Sequence, residues 1–220
     1  GYQFQFGVVF EHFGDLLLGA WFTIELSAAA IFFGFLLGIL GAGAGTSSSK
    51  PLRRAVRAYV EAIRNTPLLV QIFIVFFGLP GLGVKMTAGE SALLAMSINL
   101  GAYSTEIIRA GIDSTQKGQI EAGYALGLSK FLVFRHVVLF PALKAVYPAL
   151  ASQFVLLMLA SSIVSQISAE ELTFVANFLQ SRTYRSFEIY SVVMVIYLGL
   201  AFLFRAFFFA VYRLIFARYD

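Results

Sequence analysis

The hydrophobic pattern divides the chain into five long apolar stretches separated by polar breaks, at about residues 16–44, 59–79, 88–108, 142–167 and 190–212. Each is near or above the ~20 helical residues that cross a hydrocarbon core. The pattern therefore predicts an all-α integral membrane protein, one transmembrane domain of five spanning helices. The second stretch is interrupted at Arg64-Asn65-Thr66-Pro67. Proline removes a backbone donor and disfavours helix at Thr66, so a kink or a fresh start is expected there. Gly34, Gly38 and Gly41 recur at near-helical spacing in the first stretch, which predicts close packing on another helix. Between the third and fourth stretches lies a polar segment of about 112–135. In it Glu121, Ala122, Tyr124, Ala125 and Leu126 favour helix, while Gly127 suits the left-handed backbone that ends one. That segment predicts a helix, a sharp turn and a second helix. A further polar connection, Ser168 to Ser186, is expected to face outward with a short helix at Ala169 to Gln180.

Composition narrows the class. Of 220 residues, 59% are hydrophobic and 13% charged, with mean hydropathy +0.82, values too apolar for an ordinary soluble domain. Membrane lipid is the expected surrounding. A nucleic-acid partner would need a basic patch on a soluble face, and the pattern supplies none. Without cysteine there is no disulfide and no thiolate metal site, and no other metal site is expected. Gly1 to Phe10 lacks the basic start of a cleavable leader, and Gly1 in place of Met is read as a trimmed start. Of the 16 basic residues, only Lys85, Arg182 and Arg185 fall in breaks read as outward. Lys50, Arg53, Arg54, Arg57, Arg64, Arg109, Lys117, Lys130, Arg135, Lys144, Arg205, Arg213 and Arg218 are assigned to inward segments, the last span ending in the cytoplasm at Arg205, Arg213 and Arg218, which places the N-terminus outside and the C-terminus in the cytoplasm.

Polar side chains inside spans are costly and mark pathways or partners. Glu25 in the first stretch is such a residue, facing either a wet cavity or a partner. Glu61 and Arg64 sit three apart on one helical face and are expected to pair. Asn65, Thr66 and Gln71 follow, and Asn99, Tyr103 and Glu106 stand in the later half of the third stretch. Ser161 and Ser162 end the fourth; such hydroxyls either line a pathway or bond back to their own helix.

The stretch Glu121-Ala122-Gly123 with Gly127 resembles the EAA loop of the membrane subunits of ATP-binding cassette importers. Tyr59 to Gln71 and Tyr103 to Ser114 resemble, more narrowly, the polar amino-acid uptake permeases among them. The resemblance covers about Thr23 to Tyr212. It implies a type I importer fold in a bacterial-type cytoplasmic (inner) membrane, with a dimer of permease subunits forming the pathway. It also implies a partner ATPase docked on Glu121, Ala122, Gly123, Gly127 and Ser129, and a solute-binding protein outside. The chain lacks a Gly-x-x-x-x-Gly-Lys-Ser/Thr loop, so ATP and Mg are expected on the ATPase, and this subunit is expected to be non-catalytic. Two departures stand out. The proline after the loop, Pro141, comes one place late, which would rotate the fourth helix by ~100° unless the helix ends absorb it. Leu159 and Ala160 stand where related permeases carry charges, which favours a heterodimer whose other subunit recognises more of the substrate. Acidic, amide, basic and aromatic amino acids all remain open, as does another small polar substrate. Competing classes are a passive channel, which leaves the loop unexplained, and an intramembrane hydrolase using Ser161 or Ser162 with His136.

Overall fold

The computed structural model describes residues 2–217, and within them every regular element is helical. A short α1 (Gly7–Glu11) leads into α2 (Phe13–Gly45), 33 residues and about 50 Å long at 1.5 Å per residue. The core of the protein is the pairing of α2 with α5 (Ala88–Asp113). Small residues make it possible: a side chain at Gly34 would meet Leu100, one at Gly38 would strike Ser104, and one at Gly41 would strike Thr105. The expected glycine packing is thus realised, and against α5.

α5 starts with a reciprocal cap, in which Thr87 Oγ1 accepts from the Glu90 amide and the Glu90 carboxylate accepts from the Thr87 amide. Ser91, Ser97, Asn99, Ser104 and Thr105 along it are all buried. A helix walled by protein need not be apolar all round, which explains why α5 is the least apolar of the predicted spans. Among the described residues, three helical stretches are long and apolar enough to cross a membrane: Phe13–Gly45, Lys130–Ile167 and Ser186–Phe216. Counting one bent pair raises the number to four.

That pair is the break at Pro67. Helix α3 (Lys50–Arg64) starts nine residues before the predicted second span, with Pro51 in its first turn. It meets α4 (Leu68–Phe73) at a bend of 107°. Pro67 is extended (ψ 138°), and a buried amide holds the corner. Gln71 Nε2 donates to Ile63 O (2.8 Å), Thr66 O (3.1 Å) and Thr66 Oγ1 (2.9 Å), while its Oε1 accepts from Asn99 Nδ2 (2.9 Å). A π-helical turn and a 3₁₀ turn carry the chain to Gly83, where φ is +85°.

After α5 come α6 (Lys117–Ala125), α7 (Lys130–Leu132), a π-helical run Val133–Leu139, and α8 (Phe140–Ala160) with Pro148 inside. The π run takes one more residue per hydrogen-bonded turn than an α-helix. It ends at Leu139, two residues before Pro141. A 3₁₀ turn (Ser161–Ile167) leads to α9 (Leu172–Thr183) and α10 (Ser186–Phe216). Arg205 lies within α10, eleven residues before its end, not at the terminus where the charge pattern put it; Arg218 lies outside the described residues.

The polar connection after α8 is better buried than its sequence implies. Glu171 caps α9, is fully buried, and accepts from the Phe174 amide (2.8 Å) and Tyr197 Oη (2.6 Å). Thr23 on α2 accepts from the Leu172 amide (3.1 Å), and Gly19 lets α9 come close. Nearby, buried Glu188 accepts from Tyr2 Oη (2.6 Å) and the Gln5 amide (3.0 Å), which ties the N-terminal strap to α10.

Candidate functional site

Two features separate from this scaffold. The first is a cavity of about 350 Å³ between α3, α5 and the end of α2. It forms because α3 is amphipathic: Arg53, Arg57, Glu61 and Arg64 recur at helical spacing and turn together towards Tyr103, Glu106 and Arg109 on α5. The expected Glu61–Arg64 pair is not made. Arg64 instead lies over the Tyr103 ring, 5.4 Å from its centroid, and Glu106 is bound by Arg109 (3.0 and 3.1 Å). Arg53 donates to Ser47 O (2.7 Å) and Ser48 O (3.0 Å). The side chains of Arg57 and Glu61 make no hydrogen bond or ion pair with any described residue, although the Glu61 carbonyl accepts from Asn65 Nδ2 (2.8 Å).

Five of the sequence-derived lining residues meet in this cavity: Glu61, Arg64, Asn65, Tyr103 and Glu106. The others do not. Thr66, Gln71 and Asn99 form the bracket at the corner, where their polar atoms are spent on one another and on backbone. Glu25 sits on the exposed face of α2, accepting from Trp21 Nε1 (2.8 Å), about 30 Å along the helix from Gly45 at the cavity. Ser161 is fully buried and bonds back to Met158 O (2.6 Å), and the Ser162 carbonyl accepts from Ser165 Oγ (2.7 Å). The hydrolase arrangement fails on distance, because His136 and Ser161 are 25 residues apart on one helical stretch, roughly 37 Å. Arg53, Arg57 and Arg109 were missed as lining residues. Their signal was the polar stripe of α3, hidden by starting that helix at Tyr59.

The second feature is the loop of α6 and α7. The Gly127 amide donates to Tyr124 O (2.9 Å) and the Leu128 amide to Gly123 O (3.2 Å), with Gly127 at φ +78°. This double hydrogen bond is the Schellman closure. Ser129 caps α7 by accepting from the Leu132 amide (3.3 Å), so its hydroxyl has a local use. Gly123 is the one buried residue of α6, and it lets α6 sit on Val133 and Val137 of the π run. Glu121 and Ala122 face solvent, and so do Tyr124 (47% exposed), Leu126 (81%) and Phe131 (66%). Apolar side chains this exposed on a polar loop mark an interaction surface. No cluster of His, Cys, Asp or Glu suited to a metal occurs among the described residues.

Comparison with known proteins agrees with this geometry. Residues 30–220 match the family described as binding-protein-dependent transport system inner membrane component. The L-cystine transport system permease protein TcyB of Bacillus subtilis is 37% identical over 205 residues, covering 93% of this chain and 85% of that protein. The probable glutamine ABC transporter permease protein GlnM of the same organism is 35% identical, covering 88% and 89%. A crystal structure of an amino acid ABC transporter with histidines superposes with a TM-score of 0.86 at 34% identity, covering 96% of this chain and 99% of that one. An inward-facing MetNI methionine transporter shares the fold, with a TM-score of 0.78 at 19% identity. The chain belongs to the family of binding-protein-dependent transport system inner membrane components, as a permease of the ATP-binding cassette class.

Proposed function

We propose that this chain is the membrane-spanning subunit of an ATP-driven amino-acid importer of a bacterial-type cytoplasmic membrane. The observation that carries the reading is the exposed α6–α7 loop, a rigid turn held by its own backbone that presents Glu121, Tyr124, Leu126 and Phe131 outward. In this reading an ATPase subunit, which holds ATP and Mg, docks on Glu121, Ala122, Gly123 and Gly127. Ser129 serves the dock indirectly, by starting α7. ATP-driven closure moves the loop as a body and rocks the helices between outward and inward openings.

The chain crosses the membrane five times, with α5 as the polar, protein-walled span and the bent α3–α4 pair as another. The N-terminus lies outside, and the loop lies inside with the arginine-rich start of α3. A solute-binding protein delivers the amino acid, and a second permease subunit completes the pathway. A different permease fits better than an identical one, because Leu159 and Ala160 supply no charge and the Ser161 hydroxyl is already bonded. Purification of the tagged chain from its native membrane in mild detergent tests the assembly. An ATP-binding cassette ATPase should co-purify, and a chain that emerges alone after cross-linking would overturn the reading. Glu121→Lys should lower uptake at least tenfold while leaving ATP hydrolysis and insertion in place. Unchanged uptake in that variant counts against the dock.

A further inference from the structure

Resting on the amino-acid importer reading, we infer that the α3–α5 cavity is a substrate subsite that selects zwitterionic amino acids with acidic or amide side chains and rejects cationic ones. Its charges divide into committed and free. Arg109 and Glu106 neutralise each other, Arg53 is fixed on the Ser47 and Ser48 carbonyls, and Arg64 lies on Tyr103. The Arg57 and Glu61 side chains remain, opposite in sign, one helical turn apart, both lining the cavity and without a described partner.

An uncommitted cation and carboxylate side by side are what the two ends of an α-amino acid require. Arg57 takes the α-carboxylate, in the planar geometry a guanidinium offers. Glu61 takes the α-ammonium. Both side chains are exposed, four residues apart, and pair neither with each other nor with another described side chain, so both are open to a ligand that bridges them. The volume, about 350 Å³, lies at the lower end of ligand pockets.

Selection follows from the remaining charge. Counting every charged lining residue, four arginines (Arg53, Arg57, Arg64 and Arg109) face two carboxylates (Glu61 and Glu106). With the ligand's ends satisfied, the excess is positive. A lysine or arginine side chain would enter beside Arg64 and Arg109 and be repelled, whereas a carboxylate gains and an amide donates to or accepts from Asn65 without penalty. Like-charge juxtaposition costs affinity, and the two excess arginines are expected to separate the two classes of side chain by at least tenfold.

The complex purified from native membranes, with its ATPase and any second permease, is placed in nanodiscs without binding protein. Binding of radiolabelled L-glutamate, L-glutamine and L-lysine is then measured directly. Glutamate and glutamine should bind at least tenfold more tightly than lysine, and N-acetyl-L-glutamine, which lacks the ammonium, should bind at least tenfold more weakly than glutamine. Arg57→Glu should weaken glutamate at least tenfold and narrow or reverse its advantage over lysine. Lysine binding as tightly as glutamate, or N-acetyl-L-glutamine binding as tightly as glutamine, overturns the inference without any variant. If no amino acid binds but the complex with its binding protein still imports one, the subsite is refuted and the importer reading stands. If the complex imports some other solute and no amino acid, the importer reading fails.

Discussion

Two polar groups of side chains, about 40 Å apart along α2, have opposite states of satisfaction. Around Glu171 the polar atoms are used: its carboxylate takes the Phe174 amide and Tyr197 Oη, and Tyr197 Oη also meets Thr173 Oγ1 at 2.6 Å. In the α3–α5 cavity, the side chains of Arg57 and Glu61 face open space and have no described partner. Both groups are built on ionisable side chains in a chain that is only 13% charged. The first is what a carboxylate looks like when it holds a fold together. The second is what charges look like when kept for something that comes and goes. Charge inside a membrane protein is therefore no sign of function until its partners are counted.

Removing one member of each group should have opposite consequences. Glu171→Ala leaves the Phe174 amide and Tyr197 hydroxyl without their acceptor in a buried site, and should cost about 2–4 kcal/mol. Thermal unfolding in nanodiscs would show this as a clear fall in Tm. Arg57→Gln, at an exposed residue with no partner, should change stability by about 0.5 kcal/mol or less while reducing amino-acid binding. If the two variants lower Tm alike, Arg57 is a structural residue and the distinction collapses.

A smaller effect separates the groups by pH. Burial pushes the Glu171 carboxyl up to about 7, with hydrogen bonds from Tyr197, Thr173 and Phe174 pulling it back. The folded state then holds this proton more tightly than the unfolded chain, whose glutamate titrates near ~4.3. Stability from this group is greatest below about pH 4.5, declines as pH rises towards 7, and is flat above. The swing is on the order of 3 kcal/mol, and Glu171→Gln should flatten it. A wild-type Tm equal at pH 5 and pH 8, with no other group compensating in the glutamine variant, would show that Glu171 is charged when folded.

How much of this was legible in the sequence depends on the length scale of the signal. Periodic apolar runs gave the helices, since burial in lipid or protein leaves an unmistakable pattern, and Gly34, Gly38 and Gly41 gave a packing face because only small residues permit such an approach. The break at Pro67 was legible as a break, but its angle was not: 107° is fixed by Gln71 reaching back to Ile63 and Thr66 and across to Asn99, a contact between residues up to 28 positions apart. The same polar residues therefore read as pathway lining and serve as a bracket. The stripe of Arg53, Arg57, Glu61 and Arg64 was present as a helical period, yet the apolar criterion for a span began the helix at Tyr59 and cut the stripe in two. Glu171 carried no local mark, because what buries it is α9 settling on Gly19 and Thr23 of a helix about 150 residues earlier.

The α6–α7 loop lies between the two cases and gives the smallest predicted effect. Like the Glu171 group it is held by hydrogen bonds, but these close the turn on itself, from the Gly127 and Leu128 amides and the Ser129 cap, and leave Glu121, Tyr124, Leu126 and Phe131 exposed. Gly127 holds φ at +78° with no atom near a would-be Cβ. Alanine there meets no clash, only the cost of left-handed backbone, about 1 kcal/mol. Since the loop is exposed and short, Gly127→Ala should shift Tm by little and leave amino-acid binding in the cavity unchanged. What it should change is the fixed angle between α6 and α7, and with it the efficiency of transport per ATP. Uptake and hydrolysis measured together in proteoliposomes check this: hydrolysis should persist while uptake per ATP falls several-fold. A fall in both by the same factor would mean that the loop governs assembly with the ATPase and not the transmission of its motion.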